Sequence, residues 1–140
     1  MLFRSYTNSL ASSFPGVAGG AQGSFGGGGN DAFVSRFSAD LTRLIKSTYL
    51  GAAGDDLAYA LAIHPATGEV YVAGYTNSTA SSFPGVGSGA QGSLGGGIYD
   101  AFVSRFSADL TTLIKSTYLG AAGDDYAQAL AIHQIGRAHV

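Results

Sequence analysis

The sequence predicts an all-β protein built from repeated antiparallel sheets. Three observations lead to this prediction: a tandem repeat, short runs with strand-like alternation, and a composition rich in glycine and aromatic residues. The chain of 140 residues contains 22 glycines, 8 tyrosines and 8 phenylalanines, and only 11% of its residues are charged. Such a composition favours turns and sheets over helices, and the 46% of apolar residues suffices for a core.

The tandem repeat is the most informative of these observations. At an offset of 69 residues the chain matches itself without insertion or deletion, and only nine of the 59 positions from Tyr6 to His64 differ from their partners. The repeat copies are residues 6–74 and 75–134. Such repeats are typical of solenoids and propellers, in which each unit covers the apolar face of the next. We therefore interpret residues 1–134 as a β-propeller fragment of about two four-stranded antiparallel blades.

Four strand-like runs, named A to D, recur in the repeat, and turn residues bound each of them. Both faces of these runs carry apolar residues, as expected for a sheet packed between two others. The predicted strands are A at Leu57 to His64, B at Val70 to Thr76, C at Ala101 to Phe106 and D at Leu113 to Leu119, with earlier copies of C and D at Ala32 to Phe37 and Leu44 to Leu50.

One of these strands has an alternative interpretation. Leu41, Leu44 and Ile45 fall at helical spacing, so the segment Ala39 to Leu50 also fits an amphipathic helix. We favour the strand, because β-branched and aromatic residues follow and the apolar content has two sides.

Both ends of the sequence depart from the repeat. After His133, residues 134–140 match the expected Pro-Ala-Thr-Gly-Glu-Val-Tyr at none of seven positions. Ile-Gly-Arg-Ala-His-Val resembles the translation of a short-read sequencing adapter, so we interpret residues 135–140 as a sequencing artefact without a functional role. Residues 1–5 align with Val70 to Gly74 as part of a strand B, which predicts that the natural protein begins earlier. Neighbouring blades of that parent chain are the expected partners.

Several motifs together resemble one known family. Asp56 to Tyr75 reads D-x-A-x-A-L-A-I-H-P-x-T-G-E-V-Y-V-A-G-Y, T-N-S follows it, and D-A-F-V and S-T-Y-L-G each occur twice. Over nearly its whole length the chain resembles the bacterial SBBP β-propeller repeat family. The resemblance implies a module of an exported or cell-surface bacterial protein, without a specific activity. At the A–B turn, His64 stands where the family more often has Asp, so no metal role is carried over to that turn.

Composition and motifs argue against several classes of function. The net charge is −2 and the seven Lys and Arg residues are scattered, which does not fit nucleic-acid binding. No run approaches the roughly 18 apolar residues of a membrane-spanning helix. The sequence has no cysteine and no G-x-S-x-G motif, and every candidate residue occurs twice. We therefore predict no catalytic residue and no organic cofactor, with an active site in further blades as the alternative.

Carboxylates gather at one predicted end of the sheets. Alternating strand directions place the B–C loops and the D–A links at the same end, which carries six of the nine carboxylates. Oxygen ligands suit Ca²⁺, so the candidate metal ligands are Asp55, Asp56, Asp124 and Asp125. The alternative, which we favour, is that these residues form Asx turns, because adjacent carboxylates in a strand project to opposite sides. A protein or carbohydrate ligand at this end, with a scaffold or recognition role, is the predicted function.

The glycine clusters and the two histidines of the repeat are expected to have structural roles rather than to bind ligands. The glycine clusters Gly26 to Gly29 and Gly95 to Gly97 imitate phosphate-binding loops, but no helix pattern follows them. We expect a flexible loop there. His64 and His133 end strand A with no second ligand nearby in sequence, so we expect a turn or surface role for them.

Overall fold

The protein folds into two antiparallel sheets in a computed structural model that describes residues 1–79 and 81–133. Within these residues, no helix is long and apolar enough to cross a membrane. The strands are β1 Leu2–Thr7, β2 Asp31–Phe37, β3 Leu44–Leu50, β4 Asp56–Ile63, β5 Val70–Thr76, β6 Asp100–Phe106 and β7 Leu113–Leu119, with one short 3₁₀ helix at Val86–Ser88. The first sheet has the order β1-β2-β3 and the second the order β4-β5-β6-β7. The segment interpreted as an artefact, 135–140, lies outside the described residues.

The all-β prediction is confirmed, and the repeat gives the two sheets the same strand order. Strands B and D have the predicted bounds, whereas both copies of C and the described strand A begin one residue earlier, at an aspartate. The alternative helix over residues 39–50 is wrong. Asp40 holds a tight turn there, because its Oδ1 accepts hydrogen bonds from the Ser38 hydroxyl at 2.7 Å and the Thr42 amide at 3.1 Å. Strand β3 follows this turn directly.

The first sheet differs from the prediction in its number of strands. It contains three strands, which are copies of B, C and D, whereas the second sheet contains all four. Residues 126–133 form no strand, although their copy in the first repeat is most of β4. A strand exists through hydrogen bonds to a neighbour, and β4 has β5 as its antiparallel partner. Within the described residues, 126–133 have no such partner.

The core lies between the two sheets. Strand β4 packs against β1 and β2 and thereby brings one face of the second sheet onto the first. Full burial of each large apolar side chain contributes about 1.5–3 kcal/mol relative to exposure. The buried cluster contains Ala32, Val34 and Leu50 from the first sheet and Ala58, Val70, Val72, Phe102, Phe106 and Tyr118 from the second.

The glycine-rich B–C loops cover the outer edge of each sheet. The amide of Ser47 in β3 donates to the Gly16 carbonyl at 2.8 Å, and the amide of Tyr49 donates to the Gln22 carbonyl at 3.0 Å. The second copy repeats both bonds on β7, from Ser116 at 2.9 Å and Tyr118 at 3.0 Å. The loop that we expected to be flexible is instead tied along a strand. It hides backbone groups that would otherwise pair with another sheet edge.

Candidate functional site

The predicted meeting of loops at one end of the sheets is confirmed by backbone contacts. In the first copy the Asp56 amide donates to the Asn30 carbonyl at 2.8 Å, and in the second the Asp125 amide donates to the Tyr99 carbonyl at 2.8 Å. Each D–A link is thus bonded to the exit of the preceding B–C loop. We call this region the loop end; it comprises residues 8–31, 51–56, 77–79, 81–100 and 120–125, including the aspartates that begin β2, β4 and β6.

A pair of buried carboxylates lies at the centre of the loop end. Asp31 begins β2, Asp56 begins β4, and both side chains are fully buried. They converge over Gly51, where an added Cβ would lie 2.6 Å from Cγ of Asp31 and 2.7 Å from Oδ2 of Asp56. Only glycine leaves room for both carboxylates at this position. The two carboxylates therefore approach each other in the space that a side chain at position 51 would otherwise occupy.

The Asp31 carboxylate is only partly satisfied by hydrogen bonds. Its Oδ2 accepts from the Gly26 amide at 2.6 Å and from Gln22 Nε2 at 3.2 Å. Its Oδ1 has no hydrogen-bond partner in the described part of the chain. Burial raises the pKa of Asp31 to about 7, the bond from Gly26 opposes that rise, and the nearby charge of Asp56 adds to it. Near neutral pH, this carboxyl is therefore protonated in some molecules and ionised in the others.

The Asp56 carboxylate is fully engaged. Its Oδ2 accepts from the Ala52 amide at 2.8 Å and from the Ser78 hydroxyl at 3.0 Å, and its Oδ1 accepts from the Thr76 hydroxyl. Burial raises the pKa of Asp56, and these three hydrogen bonds oppose that rise. Asp56 thus connects the D–A link to the end of β5, which agrees with the favoured interpretation of a turn-forming aspartate.

The side chains of Asp55 and its copy Asp124 bond to different groups from those of the adjacent Asp56 and Asp125. Oδ1 of Asp55 accepts from the Asn30 amide at 3.1 Å. Oδ1 of Asp124 accepts from the amides of Ile98 and Tyr99, and these two bonds lower the pKa of Asp124. Each of these carboxylates therefore holds the exit of a B–C loop.

The remaining metal candidate, Asp125, accepts the Ala121 amide at Oδ2 over 2.9 Å, as Asp56 accepts the Ala52 amide. In the ranges 1–79 and 81–133, no group of three or more His, Cys, Asp or Glu side chains is placed to hold a metal ion. The adjacent carboxylates accept hydrogen bonds from different partners. Calcium binding by these four aspartates stays a prediction.

A cluster of five tyrosines lies beside these carboxylates, and sequence reasoning missed it. Its centre is the stacked pair Tyr59 and Tyr75, with ring centroids 5.4 Å apart and planes within 10°. Tyr6 approaches Tyr59 at 6.3 Å, while Tyr99 and Tyr126 meet the edge of Tyr75 at 5.1 and 4.7 Å. Tyr6 and Tyr126 keep 44% and 49% of their surface exposed. We call these five residues the tyrosine cluster.

The positions at which the two repeat copies differ could have indicated this cluster. Three of the nine differing pairs place a tyrosine in one copy only, at Tyr59, Tyr99 and Tyr126. Tyr59 also occupies a bulge in β4, where the register with β5 shifts. A bulge redirects a side chain, so the strand alternation read from the sequence did not show that Tyr59 meets Tyr75.

The other predicted residues have structural roles. Nδ1 of His64 accepts from the amides of Ala66 at 3.1 Å and Thr67 at 3.3 Å, which closes the A–B turn. His133 is exposed at the end of the described residues. No helix begins at either glycine cluster, which removes the helix N-terminus that a phosphate-binding loop needs. Neither protein-family models nor curated proteins gave a match to the chain, so the resemblance to the SBBP repeats stays a prediction.

Proposed function

We propose that the chain forms two successive blades of a β-propeller and serves as a non-catalytic scaffold or recognition module of a secreted or surface bacterial protein. Support for the propeller comes from the repeat and from the packing of β4 on the first sheet, since blades cover one another face to face. Support for the bacterial surface comes from the resemblance of the repeat motifs to the SBBP family.

The tyrosine cluster is the observation that carries the recognition role. Tyrosine rings supply a large, rigid contact surface with few rotatable bonds, and a hydroxyl at the end of each ring. Clustered tyrosines next to polar loops are typical of surfaces that bind proteins or carbohydrates. Tyr99 and Tyr126 lie against Asp124, whose Oδ2 is within 3.5 Å of the Tyr126 hydroxyl. This end of the molecule therefore offers aromatic faces and hydrogen-bond acceptors together.

The carboxylates of the loop end support a role in architecture rather than in catalysis. Asp31 and Asp56 are fully buried, so a substrate cannot reach them without local unfolding. Asp55 and Asp124 hold backbone amides. A general acid or base must reach the proton that it transfers, within about 3 Å or through one water molecule.

A carbohydrate array tests the recognition role. We expect the purified chain to bind a subset of bacterial glycans. Tyr99→Ala should weaken binding at least about tenfold, because it removes one face of the cluster. Tyr71→Ala is the matched control, since Tyr71 lies outside the cluster under Arg105. Equal loss in both variants, or no binding to any glycan, would contradict carbohydrate recognition, and a glycan cleavage product in the mass spectrum would contradict the non-catalytic role.

Calcium-dependent adhesion is a second candidate, favoured by the Asp31 and Asp100 Oδ1 atoms, which are buried and lack a hydrogen-bond partner among the described residues. A buried carboxylate oxygen without a donor is suited to a cation. If Ca²⁺ binds there, millimolar Ca²⁺ should raise the melting temperature, a chelator should reverse the rise, and Asp31→Asn with Asp100→Asn should remove it. An unchanged melting temperature in Ca²⁺ would eliminate this candidate.

A further inference from the structure

The two copies of one sheet face differ sharply in exposure. In the first sheet, Val34 and Leu50 face the second sheet and are fully buried. In the second sheet, their copies are Val103, which is only partly buried, and Leu119, which is 69% exposed. We call this face of the second sheet the open face. Because the sequences match, the repeat itself shows what covers such a face: the next sheet.

The open face also contains two pockets. One pocket of about 290 Å³ is lined by Tyr71, Val103 and Thr117, and another of about 410 Å³ is lined by Ala101 and Leu119. The matching positions in the first sheet include Ala32, Val34 and Thr48, and these are fully buried.

A complementary face, which we call the Phe3 face, is partly exposed on the first sheet. Val72, Phe102 and Phe106 of the second sheet are fully buried in the core between the sheets. Their copies in the first sheet are Phe3, which is 38% exposed, Phe37, which is partly buried, and Phe33, which keeps 8% of its surface exposed. The chain therefore presents, on opposite sides, both halves of the contact that joins its own two sheets.

Residues 124–127 make some of the same backbone contacts as their copies at the start of strand A. The Asp125 amide meets the Tyr99 carbonyl, and Oδ2 of Asp125 accepts the Ala121 amide, as their copies do at the start of β4. In addition, the Ala127 amide lies 3.3 Å from the Gly74 carbonyl. The segment 126–133 is thus anchored at its beginning but has no strand to pair with in the described structure.

Strand β1 offers the missing pairing edge. It is a copy of strand B and lies at the edge of its sheet, whereas β5 pairs with β4 on the corresponding side. Applying the β4–β5 register to the copies brings Leu130 opposite Phe3 and Ala129 opposite Arg4, as Leu61 lies opposite Val72 and Ala60 opposite Ala73.

We propose that copies of this chain associate head to tail, with residues 126–133 of one copy added as a strand to β1 of the next. The open face of the first copy then covers the Phe3 face of the second. The interface joins two different surfaces. A row of copies therefore keeps an open face free at one end and a Phe3 face free at the other, until a ring closes. Propellers have about four to eight blades, so closed rings would hold about two to four chains.

Light scattering coupled to size exclusion tests the association. The full 140-residue chain should form species of two or more copies whose mass rises with concentration. Ala129→Pro should reduce the apparent association constant at least about tenfold, because proline lacks the amide that a ladder needs. Gln128→Pro is the matched control: it lies at the copy of the Tyr59 bulge, where proline is tolerated. A monomer at every concentration, or equal effects of both prolines, would overturn the proposal.

Cysteine pairs test the register. The natural sequence has no cysteine, and partners in an antiparallel ladder lie about 4.5–5.5 Å apart between Cα atoms, within disulfide reach. Phe3→Cys with Leu130→Cys should form disulfide-linked multimers under mild oxidation. Tyr6→Cys with Leu130→Cys should not, because that pair is three positions out of register, roughly 10 Å apart. Equal cross-linking of both pairs would indicate unspecific aggregation and would reject the proposal.

This inference rests on the contact between the two sheets and not on the ligand that the tyrosine cluster binds. Ala129→Pro and Tyr99→Ala alter different segments. Glycan binding by a strictly monomeric chain would reject the association alone, and register-specific association without glycan binding would reject carbohydrate recognition alone.

Discussion

Asp31 shows how one residue type acquires different properties at similar positions. All six aspartates of the loop end accept backbone amides, yet among them Asp31 alone combines full burial, an Oδ1 without a hydrogen-bond partner in the described chain and a second buried carboxylate next to it across Gly51. The sequence indicated that carboxylates gather at this end. It did not indicate that Asp56, next to Asp31, would also be buried, because Asp56 is held by Thr76 and Ser78, about 20 positions further along the chain.

The raised pKa of Asp31 predicts a pH dependence of stability. The folded-state pKa is about 7 against a usual value of 3.8, so between these values the folded state binds more protons than the unfolded state. The free energy of unfolding therefore falls as the pH rises from about 4 to about 7, and the raised pKa of Asp56 acts in the same direction. We expect the melting temperature to be higher by about 5 °C at pH 5 than at pH 8.

Asp31→Asn should flatten this dependence and melt above the wild type at pH 8, since the amide oxygen can still accept the Gly26 amide. Asp124→Asn is the control. The lowered pKa of Asp124 keeps it ionised at both pH values, so its loss should reduce the melting temperature equally at pH 5 and pH 8. Calorimetry at the two pH values measures both effects. If Asp31→Asn kept the pH dependence of the wild type, the pKa of Asp31 would not be raised in the folded state.

At the scale of elements, strand prediction succeeded where the partner strand lies within the described chain. Strands at Val70–Thr76 and Leu113–Leu119 were predicted with their observed bounds, because both runs contain β-branched residues and tyrosine and lie between clear turns. The same reasoning fails for 126–133. Its sequence is close to that of β4, but the partner that would make it a strand is not within the described chain.

The glycine-rich loop is the second element that sequence reasoning could not place. Its composition lacks an apolar period, yet Val17 is buried and the loop pairs with the edge of β3. Gly20 permits this approach, since a Cβ there would lie only 2.3 Å from the Ser47 carbonyl oxygen. A glycine required by close contact with a strand 27 positions away is indistinguishable, in sequence, from a glycine in a flexible linker.

Gly20→Ala should therefore detach the loop from β3. We expect a loss of about 1–3 kcal/mol in the free energy of unfolding, and faster hydrogen exchange at the Ser47 and Tyr49 amides. Gly87→Ala is the matched control, because an added Cβ there meets nothing within 4 Å, and its effect should stay within about 0.5 kcal/mol. Equal effects of the two substitutions would mean that the loop does not protect the strand edge.

For the molecule as a whole, the repeat shows how much burial each sheet gains from its neighbour. The same valine is fully buried as Val34 and partly buried as Val103, although the local sequences are identical. The difference is the presence of a covering sheet. Stability is then a sum of contributions within sheets and between them, as in other repeat proteins.

The pair Val34→Ala and Val103→Ala measures the contribution between sheets. Val34→Ala should lower the free energy of unfolding by about 2 kcal/mol at any protein concentration, because it leaves a cavity in the core inside one chain. Val103→Ala should cost less in dilute solution. If copies cover the open face, the cost of Val103→Ala should grow with concentration towards that of Val34→Ala, since binding to the folded state adds to its stability. Denaturant titrations at two concentrations about a hundredfold apart distinguish the cases, and a concentration-independent, small cost at Val103 would mean that no second copy covers this face.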